Sequence, residues 1–507
     1  MPDSATESSP DTFARRANDW RFGPVVYHVF VDRFAPSADL DAKRHHYPSP
    51  RTLHTWDETP TRGEPLPGTT SSSHQFAFWG GDLASLRARL DYIHDLGADV
   101  LYLNPIHAAA TNHKYDAQDY FSVSPEYGTR EDVTRLATDL HERHMRLMLD
   151  GVFNHMGATS PQFQDALNNP DSPWRQWYYI GDEYTLGYRA WHNAHNLPEV
   201  RLENPQVRDR IWRNNDSVVR GYLNDGVDGW RLDVAYDIGY EYLADLTNCA
   251  HETKPDSCVI GEIWNYPHPW TNCIDGTMNF PMREIILALV KGEVTARHAG
   301  AMLARMIEDV GIEPILRCWN ILDNHDTQRI CTVLPELQAR CVAQVLQFTL
   351  PGAPLVYYGT ELGMTGGDDP ECRAPMRWDL FTDDNDDLQW MQSLIKLRST
   401  HPALRFGDTR VLATESLLGY SRTTDRIDQS VIVLVNPTDT EVRELVSPEL
   451  GGLMSGTLLR DALSDAHTEI HSGMFRARVP AMTAQVLIPD IAHHEDLAEY
   501  SPFKRVV

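Results

Sequence analysis

At 507 residues the chain is too long for one small core, so two or three domains are expected. Its 42% hydrophobic and 23% charged residues are those of a water-soluble globular protein, and no apolar run approaches the length of a membrane span. A formal net charge of -27 argues against nucleic acid or an anionic membrane as partner, since both call for clustered Lys and Arg, and leaves a neutral substrate as the better fit.

Six of the 45 basic residues are Lys. An Asp-rich, Lys-poor surface suits a salty cytoplasm, and a genome biased toward Arg codons gives the same composition. Residues 1–19 lack the apolar core of a secretory signal and read as a disordered tail, so unless a leader has been removed a cytoplasmic location is expected. The seven Cys are odd in number and without zinc spacing, as expected of reduced thiols.

A first buried strand runs from Val25 to Val31 and ends at Asp32-Arg33-Phe34. The stretch from Ala35 to about Trp79 is rich in Pro, Ser, Thr and His, a long irregular loop of the kind that has a functional reason to exist. Leu83 to Leu96 has helical spacing with Asp82 as cap and Gly97 as stop, and Asp99 to Pro105 follows as a second strand. Glu131 to His144 is helical and Arg146 to Val152 is a third strand. Residues 156–205 break this rhythm with Pro, Asn, Asp and aromatics, then Val207 to Leu223 resumes helix and Val227 to Asp233 strand. Further strands are expected at Val259 to Ile263, near Met278 to Phe280, at Cys318 to Leu322 and at Pro354 to Tyr358.

Strands alternating with helices in this way predict an α/β fold, a (β/α)8 TIM barrel over 20–155 and 206–400 with an inserted subdomain at 156–205 after strand three. From His401 short alternating segments such as Gln429 to Val435 predict a C-terminal all-β sandwich over 401–490, followed by a tail at 491–507. In such a barrel the active face lies at the strand ends. Asn104, Asn154, His155, Asp233, Glu262, His325 and Asp326 all fall there.

The segment Gly226 to Asp233 carries the sharpest chemistry. Period-two alternation puts Gly229, Arg231 and Asp233 on one face and Trp230 and Leu232 on the other. A guanidinium two residues before an Asp predicts an ionised carboxylate there, as a covalent nucleophile requires, although a structural ion pair would read the same way.

Four segments in order resemble the α-amylase family of retaining glycoside hydrolases and transglycosylases: Asp150 to His155, Gly229 to Asp233, Gly261 to Trp264, and Leu322 to Asp326. The resemblance implies Asp233 as nucleophile, Glu262 as general acid/base and Asp326 as a third carboxylate steadying the transition state. It further implies that His155 and His325 contact the sugar at the cleaved bond, Tyr115 stacks on it, Asp150 braces Arg231, and Asp369 with Arg373 holds the next sugar. Trp230, Trp264 and the stretch from Tyr357 to Arg373 resemble the cyclomaltodextrinase, neopullulanase and maltogenic amylase branch.

Two departures stand against that branch. The branch carries an N-terminal β domain that dimerises and narrows the cleft, whereas here the barrel begins almost at once, implying a more open cleft. Its Met-Pro-Lys-Leu motif reads Leu197-Pro198-Glu199-Val200, which reverses a charge. Asn154 matches a calcium ligand of many α-amylases, but Asp237 stands where the family often has a calcium-binding His, and no Asn-Gly-Asp run follows Arg33. Calcium wants six to eight oxygens. No full set assembles, so no metal or other cofactor is expected to be required.

The expected activity is hydrolysis of α-1,4-glucosidic bonds in maltooligosaccharides, cyclodextrins, pullulan or starch by a monomer or weak homodimer. A 4-α-glucanotransferase, an α-1,6- or α-1,1-glucosidase, and a sugar-binding protein on an inactive barrel are the alternatives.

Overall fold

Strands buried on both faces carry near-continuous apolar runs. Such runs close into a parallel barrel in the computed structural model, which describes residues 9–66 and 70–490. The staves are β1 (Val26–Val29), β2 (Val100–Leu103), β3 (Arg146–Gly151), β4 (Gly229–Leu232), β5 (Cys258–Ile263), β6 (Gly276–Asn279), β7 (Trp319–Asn320) and β8 (Ala353–Tyr357). Each pairs with its neighbours in sequence, and β1 closes the ring against β8. Gly229 sits opposite Cys258, where a Cβ would lie 2.2 Å from the Cys258 carbonyl oxygen, so glycine permits the close approach of β4 to β5. That register carries Arg231 and Glu262 toward the same end of the barrel. On the outer face of β4, Trp230 is fully buried among Phe153, Tyr222 and His107.

Two expected helices are interrupted. Asp82 caps Leu83–Arg87, the chain turns at Arg89, and Leu90–Leu96 ends on Gly97 at φ 94°, which a glycine adopts without a Cβ penalty. The Arg89 guanidinium lies 4.2 Å over the Trp378 ring at this turn. Downstream, Pro205–Arg208 runs into a π turn at Asp209–Arg213, and the helix restarts at Val218–Asn224 with the Ser217 side chain as its cap. Polar Asn214, Asn215 and Asp216 supply no apolar face to continue it.

Residues 10–17, expected within a disordered tail, form a helix, α1 (Pro10–Ala17), capped by Ser9. Phe13 and Arg16 are buried, and Arg16 pairs with Glu313 at 2.7 Å and Asp408 at 2.8 Å. The polar composition hid one amphipathic face. The tail expected at 491–507 and the first eight residues lie outside the described residues.

The C-terminal domain follows. Its six-stranded antiparallel sheet has the order β9 (Asp408–Val411), β10 (Leu418–Thr423), β11 (Val431–Asn436), β16 (Thr483–Pro489), β13 (Leu458–Asp461), β14 (His467–Glu469). A two-stranded ladder of β12 (Val442–Val446) and β15 (Phe475–Val479) covers one face. Val431, Val433 and Val435 join the barrel's core while Ile432 and Leu434 pack with Val446, Phe475 and Val479. Burial on both faces explains why β11 is apolar without alternation. Among the described residues no helix is long and apolar enough to cross a membrane, and all seven cysteines are free.

Candidate active site

The parallel register sets Asp150 on β3 beside Arg231 on β4. Arg231 Nη1 donates to the two Asp150 oxygens at 2.8 and 2.9 Å and to Asp233 Oδ1 at 3.1 Å. Its Nη2 lies 3.0 Å from Glu262 Oε2. One fully buried guanidinium therefore serves three carboxylates. The Tyr102 and Tyr115 hydroxyls donate to Asp150 Oδ2 at 2.7 and 3.0 Å, which leaves that brace well satisfied. Val234, directly after Asp233, is held at φ 39° and turns its N–H onto Glu262 Oε2 at 3.0 Å. The Trp264 indole N–H donates to Glu262 Oε1 at 2.9 Å, and its ring, half exposed, stacks on Phe280 at 3.7 Å.

These charges do not balance as the sequence implies. Burial pushes Asp233 well above the ordinary carboxylate range, and Glu262, Asp150 and Asp326 push the same way against Arg231. Burial likewise raises Asp150, against the pull of Arg231. The expectation that Arg231 keeps Asp233 ionised is corrected here: the cation is shared among three acids, and burial with the neighbouring carboxylates raises Asp233 instead of lowering it.

Across the barrel mouth a second arginine serves fewer acids. Arg373 bonds Asp326 Oδ1 and Asp369 Oδ2, each at 3.2 Å, and anchors itself on the His325 carbonyl at 2.8 Å. His325 Nε2 stands 2.9 Å from Asp326 Oδ2 and 2.6 Å from the Tyr115 hydroxyl, whose ring stacks on the imidazole. Burial raises Asp326, but His325 and Arg373 overcome it and hold it well below the usual carboxylate range. Asp369 is lowered to about 2 because Arg373 and His74 outweigh its burial.

His155 lies between the two clusters. Its Nε2 is 3.9 Å from Asp233 Oδ2, has no hydrogen-bond partner, and is buried. Burial drives the ring down to about 3, so it is neutral at pH 7. The inserted subdomain returns beside it, with a bridge between His155 and Glu199 and the Val200 N–H donated to the Asn154 carbonyl at 3.0 Å.

The rim thus gathers Asp233, Glu262, Asp326, Tyr115, His155, Arg231, His325, Asp369, Arg373, Asp150, Asn154 and Trp264. Sequence reasoning missed His28, whose Nε2 sits 2.8 Å from Asn104 Oδ1 and whose ring stacks on Tyr102, and it missed Tyr102 itself. Tyr102 shares a face with Asn104 by strand alternation, a signal that was present. His28 lies inside an apolar run and gave none.

Residues 10–405 match the family model for the α-amylase catalytic domain. The chain belongs to the α-amylase family. It is a glycoside hydrolase of that family, and 32% of its residues are identical over 449 positions to a cyclomaltodextrinase of Geobacillus thermopakistaniensis, spanning 85% of this chain and 72% of that one. Neopullulanase 2 of Thermoactinomyces vulgaris is 31% identical over 453 residues, spanning 86% of this chain and 73% of that protein. Among solved structures, the cyclic α-maltosyl-(1→6)-maltose hydrolase of Arthrobacter globiformis in complex with maltose superposes with a TM-score of 0.77 at 30% identity, covering 93% of this chain and 100% of that one.

In this α-amylase family member Glu199, where the branch has Lys, pairs with Arg189 of the same subdomain. The Asn154 amide lies 3.4 Å from His155 Nδ1, Asp237 accepts the Trp191 indole N–H at 2.9 Å, and the described residues contain no group of three or more His, Cys, Asp or Glu arranged to hold a metal.

Proposed function

We propose that the chain hydrolyses α-1,4-glucosidic bonds in maltooligosaccharides and cyclodextrins with retention, through a glycosyl ester on Asp233. The observation that carries this reading is the single guanidinium that hydrogen-bonds Asp233 and stands 3.0 Å from Glu262. Two carboxyls on one planar fork stand close, as retention needs (about 5 to 5.5 Å), whereas inversion spreads them to roughly 6.5 to 9.5 Å to admit a water.

Retention needs one proton on the acid and none on the nucleophile. With that proton on Glu262, its repulsion of Asp233 vanishes and Arg231 is left to Asp150 and Asp233. Asp233 then attacks the anomeric carbon through Oδ2, the oxygen Arg231 does not hold. The glycosidic C–O bond breaks, its electron pair passes to the leaving oxygen, and that oxygen takes the Glu262 proton. Water then attacks the same carbon, gives its proton to Glu262, and the ester's electron pair returns to Asp233. Asp326 and Asp369, kept anionic, accept hydroxyl bonds from the sugars on the non-leaving side. His155 Nε2, neutral and unpartnered, bonds a hydroxyl of the sugar at the cleaved bond.

The relatives named above as cyclomaltodextrinase and neopullulanase support this substrate class. Proton NMR of the first products from β-cyclodextrin or maltotriose tests it: the α-anomer must appear first, and a first-formed β-anomer would refute retention. Transfer is the second reading, supported by the half-exposed Trp264 ring beside Glu262, a platform for an acceptor sugar. Products longer than maltotriose from maltotriose alone would make it the main activity.

No obligatory ion takes part in this reading, so dialysis against a chelator leaves kcat unchanged; loss of activity restored by calcium would contradict it. The free cysteines and the similarity to a Bacillus subtilis intracellular maltogenic amylase support a cytoplasmic location, and a monomer or weak homodimer is the proposed state, testable by light scattering.

A further inference from the structure

Besides its backbone contacts beside His155, the inserted subdomain reaches over the barrel through the Trp191 side chain. Trp191 donates its indole N–H to Asp237 Oδ2 at 2.9 Å, although the two residues are 46 positions apart and belong to different units. Its ring also stacks on His155, centroids 5.6 Å apart and planes 26° from parallel. Asp237 lies in the short helix Ala235–Ile238 that begins directly after Asp233 and Val234.

The backbone is strained on both sides of this contact. Of the nine non-glycine residues with positive φ among the described residues, three are here: His192 at 47°, Asn193 at 56° and Val234 at 39°. Such conformations cost about 1 to 3 kcal/mol each and persist only where the surroundings enforce them. A β-branched residue at positive φ is an outlier in its own right. His192 and Asn193 turn the chain so that Trp191 faces the barrel, and Val234 aims its N–H at Glu262.

Glu262 gives its proton to the leaving sugar, while Asp326, Asp369 and Arg373 stand across the mouth. Asp237 sits in the helix that starts behind Val234, whose N–H bonds Glu262, so the Trp191–Asp237 contact lies on the Glu262 side of the mouth, the leaving-group side. We propose that it is a clasp: a specificity-determining contact that narrows the leaving-group side against bulky or branched glucan and positions the His155 ring against Asp233. It rests on the α-glucan reading above. A neutral indole donor on a carboxylate gives a contact strong enough to hold and weak enough to open. Compact oligosaccharides fit beneath it; a polymer must force it apart.

The test uses the full chain in four forms: W191F, which keeps a ring on His155 but has no donor; D237L, which has no acceptor; D237N, which retains one; and the W191F/D237L double variant. The ratio of kcat/KM on soluble starch to that on maltotriose should rise about tenfold in W191F and D237L, the loss of one charge-assisted hydrogen bond. D237N, left with a neutral acceptor, should raise the ratio less than D237L, and the double variant should equal either single one, as for two halves of one contact. An unchanged ratio in both single variants, or effects that multiply in the double variant, would overturn the clasp.

Hydrogen exchange of residues 188–200, measured without substrate, separates this from the proposed function. Exchange there should be faster in D237L than in D237N. Equal rates would sink the clasp whatever the enzyme's substrate, whereas a starch or maltotriose activity that survived D233N would sink the assigned nucleophile and leave the exchange result standing.

Discussion

Two acid clusters face each other across the barrel mouth, each built on one arginine, and they come out with opposite charge habits. Arg231 is fully buried and divided among Asp150, Asp233 and Glu262, and Asp233 and Asp150 are raised. Arg373 is divided between Asp326 and Asp369, with His325 and His74 in support, and both acids are lowered. The ratio of cations to acids decides where a proton can stay, together with burial, since the Asp150 and Asp233 side chains are 0 and 10% exposed against 29 and 33% for Asp326 and Asp369. One side is equipped to move protons; the other is a permanent anion suited to binding hydroxyls.

The largest effect comes from breaking the first cluster at its centre. Asp233→Asn should lower kcat by about 10^4-fold or more with an unchanged circular dichroism spectrum, as for loss of a nucleophile. Activity near wild type would remove Asp233 from that role.

Next in size is the contrast between the two arginines. Arg231→Leu leaves three buried acids without their cation and should cost roughly 3–5 kcal/mol of stability, read as a lower Tm. Arg373→Leu should leave Tm within a few degrees and raise KM for maltotriose about tenfold or more, because an unpaired polar grip no longer matches the sugar. Similar Tm losses in both variants would erase the distinction.

Much of this arrangement was legible in the sequence. Asp150, Arg231, Asp233 and Glu262 fall at strand ends whose apolar runs announce themselves, and alternation alone puts Arg231 and Asp233 on one face. The charge balance was not legible. It depends on how many acids from β3, β4 and β5 meet one guanidinium, which is a matter of register and closure. Trp191 and Asp237 were hidden for a related reason, since nothing local joins an indole in an irregular insertion to a carboxylate on a later helix. Helix α1 was missed because two buried side chains, Phe13 and Arg16, carry it through contacts with residues 313 and 408.

A smaller effect sharpens the comparison through pH. Because Asp233 is raised in the free enzyme, the acid limb of kcat/KM should lie above about 4, the ordinary aspartate value. Asp369 is already anionic throughout that range, so Asp369→Asn should lower kcat/KM without moving the limb. A limb that shifts in this variant would join the clusters into one titrating unit.

The last effect concerns the pH dependence of stability. His155 and His113 are lowered to about 3 and His107 to about 4, all by burial, so the unfolded chain takes up protons that the folded one refuses. For a histidine lowered on folding, stability is complete above about 6.5 and falls as pH drops toward the folded value, by up to about 1.4 kcal/mol per pH unit for each ring. His107→Gln, away from the rim, should flatten the fall of Tm between pH 6.5 and 4. An unchanged slope would show that ring to be accessible to protons in the fold.

The opposition between the clusters is tested most directly by carbon NMR of protein labelled at the Asp side-chain carboxyl, with Asp233, Asp326 and Asp369 assigned through their Asn variants. The account predicts that Asp233 titrates above the ordinary aspartate range while Asp326 and Asp369 titrate below it. Asp233 titrating together with Asp369, at or below the ordinary value, would contradict it.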